Sequence, residues 1–170
     1  GVALARFLAD AGAAVTIYDG RAEADLAEAI AQLDGRPVRL LLGPEIDPAQ
    51  ALRNMVLVTT SPAISPDFPT TEPRLRGALQ ELVAARAAGD PEAAPIVSEI
   101  DLFLRLCPAP TIGVTGTKGK TTTSALLAHL LAADPSHRSI LGGNIGRPLV
   151  ERLGDLRADD RVVVELSELQ

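Results

Sequence analysis

The chain has 170 residues, 46% of them apolar and 2% aromatic, with a net charge of −6. That apolar share is enough for a core, and an acidic balance with no basic cluster argues against a nucleic-acid surface. No run of about 18 apolar residues exists to span a membrane, and the single cysteine, Cys107, excludes an internal disulfide and fits a reducing compartment.

The opening segment VALARFLADAG, directly after Gly1, has helical spacing, with Val2, Ala5, Leu8 and Ala9 on one face. A strand, AAVTIYD, follows and ends in Asp19. Glycine, helix, strand and acidic tip form the second half of a nucleotide-type βαβ unit, the acid lying roughly 20 residues after the glycine. The first strand is therefore expected ahead of residue 1, and the abrupt end at Gln170 reads as a second cut. Ala24 to Leu33 predicts a helix and Pro37 to Gly43 a strand stopped by glycine. DPAQALRN predicts a short helix with an Asp cap and proline in the first helical position. Met55 to Thr60 reads as a strand that runs into the loop SPAISPDFP, and Pro73 to Gly89 as a long helix closed by glycine. A turn, a short strand at Ile96-Val97 and a helix opened by Ser98 complete the first unit. The CPAP segment from Cys107 to Pro110 separates it from a second unit. Such alternation implies parallel sheet with right-handed crossovers.

The second unit opens on the most informative stretch, GVTGTKGKTTT from Gly113 to Thr123. It follows a short apolar run and leads into the helical pattern SALLAHLLAA. In a strand–glycine turn–helix context, backbone N–H groups and the helix N-terminus converge on an anion. The residues Gly116, Thr117, Lys118, Gly119, Lys120, Thr121 and Thr122 are the expected phosphate cradle. Lys120 supplies charge to the outer phosphates, and the Thr121 hydroxyl is the expected contact to magnesium. Lys118 and Lys120 are the only lysines, against fourteen arginines, which marks them as required by the loop. The spacing departs from the strict GxxxxGK[ST] pattern, because position 114 is valine and the glycines stand three apart.

Farther on, Ser139 to Leu141 predicts a strand, Gly142 and Gly143 let backbone approach a ligand, and Asn144 offers an amide that donates and accepts. The run VVVELS puts Glu165 at the exit of a hydrophobic strand, where an acid is costly to bury without a cation. That is the usual position of a magnesium-holding carboxylate beside a phosphate loop. His129 and His137 have no metal-type spacing and carry no assigned role. In the first unit, strand ends at Gly1, at Asp19 to Arg21 and at Ser61 to Ala63 are the candidate ligand segments. Asp19 can accept from a ribose hydroxyl or a base N–H, and Arg21 can meet phosphate.

This loop variant resembles the ATP loop of the Mur ligase family, and SEIDLF, GGNIG and VVVELS follow in that family's order. YDGR at Tyr18 to Arg21 and TTSPAIS at Thr59 to Ser65 resemble the branch that adds D-glutamate. The resemblance implies an α/β fold: a Rossmann-like parallel-sheet N-terminal domain over 1–107, without its first strand. The first part of a P-loop-type ATP-binding central domain would follow over 108–170. It implies an ATP- and magnesium-dependent ligase that joins D-glutamate to UDP-N-acetylmuramoyl-L-alanine through an acyl phosphate. Such a protein would be a cytoplasmic monomer serving peptidoglycan precursor synthesis, with no nucleic-acid or membrane partner; this chain alone would be inactive. Lys120 and Glu165 would be catalytic, with Thr121 and Glu165 toward the metal. Asp19, Arg21, Ser61, Pro62, Asn144, Ser167 and Gln170 would face the substrate. Departures at Gly20 and at Glu168-Leu169 shift weight to backbone contacts at the first and loosen the roles of Ser167 and Gln170 at the second. Two alternatives stay open on sequence: another amide ligase of the family, adding L-alanine, a diamino acid or glutamyl units to folate, and a nucleotide-binding module that is not a ligase.

Overall fold

The computed structural model describes residues 1–61, 64–67, 72–144 and 148–167. The chain forms two compact units, Gly1–Ser98 and Glu99–Gln170. Both are α/β with parallel strands only.

The first unit contains helices α1 (Val2–Asp10), α2 (Ala27–Ala31), α3 (Pro48–Ala51) and α4 (Pro73–Ala87). Its strands are β1 (Val15–Asp19), β2 (Val38–Leu42), β3 (Val58–Thr60) and β4 (Ile96–Ser98). The Asp47 cap is as expected: its carboxylate accepts from Ala49 N at 3.1 Å, with Pro48 in the first helical position. The end of α4 also follows its sequence signal, Gly89 turning at φ +88 just past the last helical residue. Elsewhere the elements are shorter than the periodicity suggests. The helix expected over Ala24 to Leu33 begins as a 3-10 turn, Glu23–Leu26, before the short α2. Only Leu26 and Leu33 of this stretch are buried, so little apolar surface holds a longer helix in place. The strand expected from Met55 starts at Val58, since pairing with β4 spans only Val58 to Thr60.

The strands are parallel as expected, and the described ones form two pairs, β1 with β2 and β3 with β4. No described strand bridges β1 and β3. Leu79 of α4 is fully buried against Val58 and Ala94, with Leu52, Met55, Ile64, Leu75, Leu82 and Ile96 around them. That cluster fixes α4 over the β3–β4 pair.

The second unit contains α5 (Glu99–Leu106), β5 (Thr111–Val114), α6 (Lys120–Leu131), β6 (Ser139–Gly143), a 3-10 helix (Leu149–Asp155) and β7 (Arg161–Glu165). The sheet order is β5-β7-β6. The last strand in sequence is thus the central one, and Val162, Val163 and Val164 are fully buried. A central parallel strand is covered on both faces, which explains an unbroken apolar run instead of alternation. Burial of each valine contributes roughly 1.5–3 kcal/mol relative to exposure. Phe103 of α5 is also fully buried, and α5 packs on the 3-10 helix, which supplies Leu149 and Val150. The helix therefore counts with the second unit here, whereas the sequence reading drew its line at 107/108.

The far end of this sheet is tied by charge. Asp160 is buried just before β7, and its carboxylate accepts from Arg138 Nε at 2.8 Å, Arg138 Nη2 at 2.6 Å and Arg157 N at 2.8 Å. The Arg138 guanidinium, assisted by the backbone N–H, pulls the Asp160 pKa from 3.8 down to about 2. A depressed carboxylate pKa stabilises the fold above the ordinary value and loses that contribution as pH falls toward the folded value. Asp160→Asn is accordingly expected to lower the melting temperature at neutral pH. The gap to wild type should close as pH drops from about 4 toward 2. A gap that stays constant over that window, followed by circular dichroism, would contradict this role. Among the described residues, no helix is long and apolar enough to cross a membrane.

Candidate functional site

The glycine loop joins β5 to α6, as the sequence predicts. Gly116 has φ +142 and Gly119 φ +78, conformations that residues with a Cβ rarely adopt. Gly119 is the N-cap of α6 and Lys120 its first residue. The first helical bond runs from Thr123 N to Gly119 O, 2.9 Å. The N–H groups of Lys120, Thr121 and Thr122 belong to the helix's first turn, which has no intrahelical partners, so they are available to an anion. Lys120 folds back over the loop, its Nζ donating to Gly116 O at 2.6 Å. Lys118, Thr117, Thr121 and Thr122 are exposed. The loop thus offers one ammonium held against the turn and a second in solvent. Fully buried Ser124 braces the helix behind it, donating to Lys120 O at 2.7 Å.

Glu165 comes to this loop through the sheet. In the register of β5 against β7, Glu165 stands beside Val114, two residues ahead of Gly116, and Leu166 N donates to Val114 O at 2.9 Å. Glu165 is only 2% exposed, and its Oε2 has no hydrogen-bond partner among the described residues. A buried carboxylate oxygen without a donor is costly, and a cation removes that cost. Among the described residues, no group of three His, Cys, Asp or Glu side chains forms a metal cage. Magnesium is commonly held by one or two protein oxygens together with phosphate oxygens and water. The Glu165 carboxylate and the Thr121 hydroxyl fit such a demand by their chemistry.

On the other side of β7, Gly143 pairs with Glu165. Gly143 has φ +104, and a Cβ there would overlap the Glu165 carbonyl oxygen. This glycine is needed for packing as well as for the turn. Asn144 N donates to Glu165 O at 2.9 Å, and the Asn144 side chain is exposed. The backbone of the GGN segment therefore clamps the strand end that carries Glu165. Loop, Glu165 and Asn144 stand at the carboxyl ends of the strands of a single sheet, with Ser167 two residues beyond Glu165 and partly buried. Gln170 and Pro62 lie outside the described residues, as do Ala63, Ile145, Gly146, Glu168 and Leu169.

In the first unit, Asp19 ends β1 and is paired with Arg21. The guanidinium reaches Oδ1 at 3.0 Å through Nε and Oδ2 at 2.8 Å through Nη2, and Arg21 N also donates to Oδ1 at 3.0 Å. These bonds from Arg21 lower the Asp19 pKa despite partial burial. Ser61 follows β3 and is exposed, its carbonyl accepting from Ile64 N at 2.8 Å. Ser61 stands on the other strand pair from Asp19 and Arg21.

One residue at the β1 exit escaped the sequence reading. Tyr18 Oη donates to Glu72 Oε2 at 3.2 Å, and the Glu72 carboxylate lies over Gly20. Burial, reinforced by the Glu72 charge, raises the Tyr18 pKa. In the sequence Glu72 is merely the residue before Pro73, and nothing local links it to Tyr18, 54 positions earlier.

No family model matches the chain. Whole-length similarity does appear with curated proteins. The chain is 37% identical over 169 residues to the UDP-N-acetylmuramoylalanine–D-glutamate ligase of Ruminiclostridium cellulolyticum, covering 99% of this chain and 32% of that protein. It is 39% identical over 170 residues to the ligases of the same name from Pelobacter propionicus and Geobacter metallireducens, covering all of this chain and 34% of each. The chain thus spans about a third of the length of the curated relatives it matches. Homologous along its whole length to that share of the D-glutamate-adding ligases, the chain belongs to the Mur ligase family.

Proposed function

We propose that this chain supplies the nucleotide-sugar-binding and part of the ATP-binding machinery of a ligase that joins D-glutamate to UDP-N-acetylmuramoyl-L-alanine. The observation that carries the reading is the register of β7 on β5, with buried Glu165, whose Oε2 has no hydrogen-bond partner among the described residues, level with the entry to the lysine-bearing loop. The names of the relatives support the choice of substrates.

In this reading the substrate's alanine carboxylate oxygen attacks the γ-phosphorus of ATP. The bond to ADP breaks, and an acyl phosphate forms. The D-glutamate amine then attacks the acyl carbon, phosphate leaves, and the amine gives up a proton. This chain contributes position and charge. The first-turn N–H groups of α6 and Lys120 bind the phosphates, Glu165 and Thr121 hold magnesium, and Asn144 and Ser167 face the substrate. Magnesium, when bound, offsets negative charge on the phosphate oxygens. Pro62 and Gln170 belong to the same proposed substrate set. The protein is a cytoplasmic monomer in this reading, serving peptidoglycan precursor synthesis.

The domain limits, 1–107 for the UDP-substrate domain and 108–170 for the start of the ATP-binding domain, are part of the proposal. Sheet topology supports a doubly wound arrangement for the first. In the doubly wound order the first strand sits centrally, flanked by the second and the fourth. The pairs β1–β2 and β3–β4 fit the second-and-third and fourth-and-fifth positions, with residues ahead of Gly1 supplying the strand between them.

Asp19, Arg21 and Ser61 then hold the uridine diphosphate. Calorimetry on the intact protein tests this: UDP-N-acetylmuramoyl-L-alanine should bind without ATP, and NAD should not compete. Asp19→Ala should weaken binding about ten- to a hundredfold, the worth of a charged hydrogen bond of roughly 1.5–3 kcal/mol. Tight NAD binding without a response to the UDP-sugar would overturn the ligase reading.

A further inference from the structure

We infer that Arg76 and Gln80 of α4 are positioning residues for the loop after β3, holding it in the shape that meets the nucleotide sugar. The inference rests on the uridine diphosphate site proposed above, which includes Ser61, and deepens it. A strand-exit loop makes few backbone bonds of its own, and ordering it on a ligand costs affinity. Here the described part of the loop is tied down at two points beyond Ser61. Ile64 packs against the cluster around Leu79, and its N–H donates to Ser61 O at 2.8 Å, which ties residue 64 to the end of β3. Two residues on, the carbonyl of Pro66 accepts from Arg76 Nε at 3.2 Å and from Gln80 Nε2 at 2.9 Å.

Helix geometry explains how one carbonyl meets both donors. Arg76 and Gln80 stand four apart on α4 and so share a face of it. A carbonyl oxygen has two lone pairs, and these donors take up both. Arg74, also on α4, holds the loop after β2 in the same manner, through Pro44 O at 2.6 Å and Ile46 O at 3.1 Å. The first two turns of α4 thus grip two strand-exit loops at the carboxyl ends of the strands, where ligands sit in open parallel sheets. The grip is separate from the core. Leu79 is fully buried, whereas Arg76 is only partly buried and Gln80 is exposed. What the two bonds set is the path of the backbone just past Ser61, whose exposed side chain is the proposed substrate contact. A loop held this way before the ligand arrives has less ordering to undergo on binding.

The test is calorimetric titration of the intact protein with UDP-N-acetylmuramoyl-L-alanine and, separately, with ATP, alongside melting temperatures. The proteins compared are wild type, Arg76→Ala, Gln80→Ala, the double alanine variant, and Arg76→Lys combined with Gln80→Ala. Each single alanine change should weaken UDP-sugar binding about two- to tenfold, and the double change about ten- to a hundredfold. ATP affinity should not move. Arg76→Lys keeps a donor on a long stem, so with Gln80→Ala it should recover part of the affinity lost in the double alanine variant. In steady-state kinetics the double variant should raise KM for the UDP-sugar more than it lowers kcat, because the loop acts on substrate binding. A double variant that binds the UDP-sugar as tightly as wild type overturns the inference and leaves the site reading intact. An equal loss of ATP affinity together with a lower melting temperature overturns it too, since that is the mark of a merely structural role. Should the double variant not fold, unchanged UDP-sugar affinity in both single variants overturns it equally. A wild-type protein that does not bind the UDP-sugar overturns the site reading, and this inference with it.

Discussion

Lys120→Ala in the intact protein is expected to abolish ATP-dependent turnover, a loss of at least about a hundredfold, whereas Lys118→Ala should stay within a few-fold of wild type. The difference follows from position. Lys120 is the first residue of α6, and its ammonium already lies over the glycine loop, 2.6 Å from Gly116 O. An ammonium has three donors, so that bond leaves capacity for phosphate oxygens at the same place. Lys118 is exposed, one residue before the left-handed Gly119. Its charge acts through solvent and is screened by salt. Lys120→Arg should rescue poorly, because a planar guanidinium does not replace a compact ammonium inside a tight turn. Steady-state kinetics of the three variants decide the matter; equal losses from Lys118→Ala and Lys120→Ala would contradict this division of labour.

Glu165→Gln is expected to raise the magnesium concentration needed for half-maximal activity by at least about tenfold, while nucleotide-sugar binding persists. The substitution keeps the size of the side chain and removes its charge. Because Glu165 is 2% exposed and its Oε2 lacks a partner among the described residues, the charge is a burden on the fold in the absence of a cation. The variant should therefore melt at the same temperature as wild type or higher when magnesium is withheld. A structural carboxylate would behave in the opposite way, losing stability when neutralised. An unchanged magnesium titration excludes Glu165 as a ligand, whether direct or through water.

The local signals in the sequence were sufficient for elements whose causes are local. Asp47 before Pro48 specifies the start of α3, and Gly89 specifies the end of α4, because caps and left-handed turns act over a few residues. The loop from Gly113 to Thr123 is legible for the same reason: its glycines, lysines and threonines act through backbone shape and the start of one helix. Three valines before Glu165 predicted a buried strand with an acid at its tip. The sequence alone also determined the family, through motifs spread along nearly the whole chain.

Tertiary structure decided what depends on strand pairing. Only the order β5-β7-β6 shows that the last strand is central, so that Glu165 stands between Val114 and Gly143. Gly143 reads as a turn residue in sequence; the sheet reveals that its missing side chain makes room for the Glu165 carbonyl. The helix predicted over Ala24 to Leu33 shortened because its apolar residues found little to pack against, and periodicity carries no knowledge of a partner. Glu72 could not be tied to Gly20 from sequence at all. Their contact is set by where α4 begins relative to the end of β1, and that placement arises from the core around Leu79 and from the Arg74 anchor to Pro44 and Ile46. Residue types and short spacings are encoded locally, but the meeting of distant side chains is a product of packing.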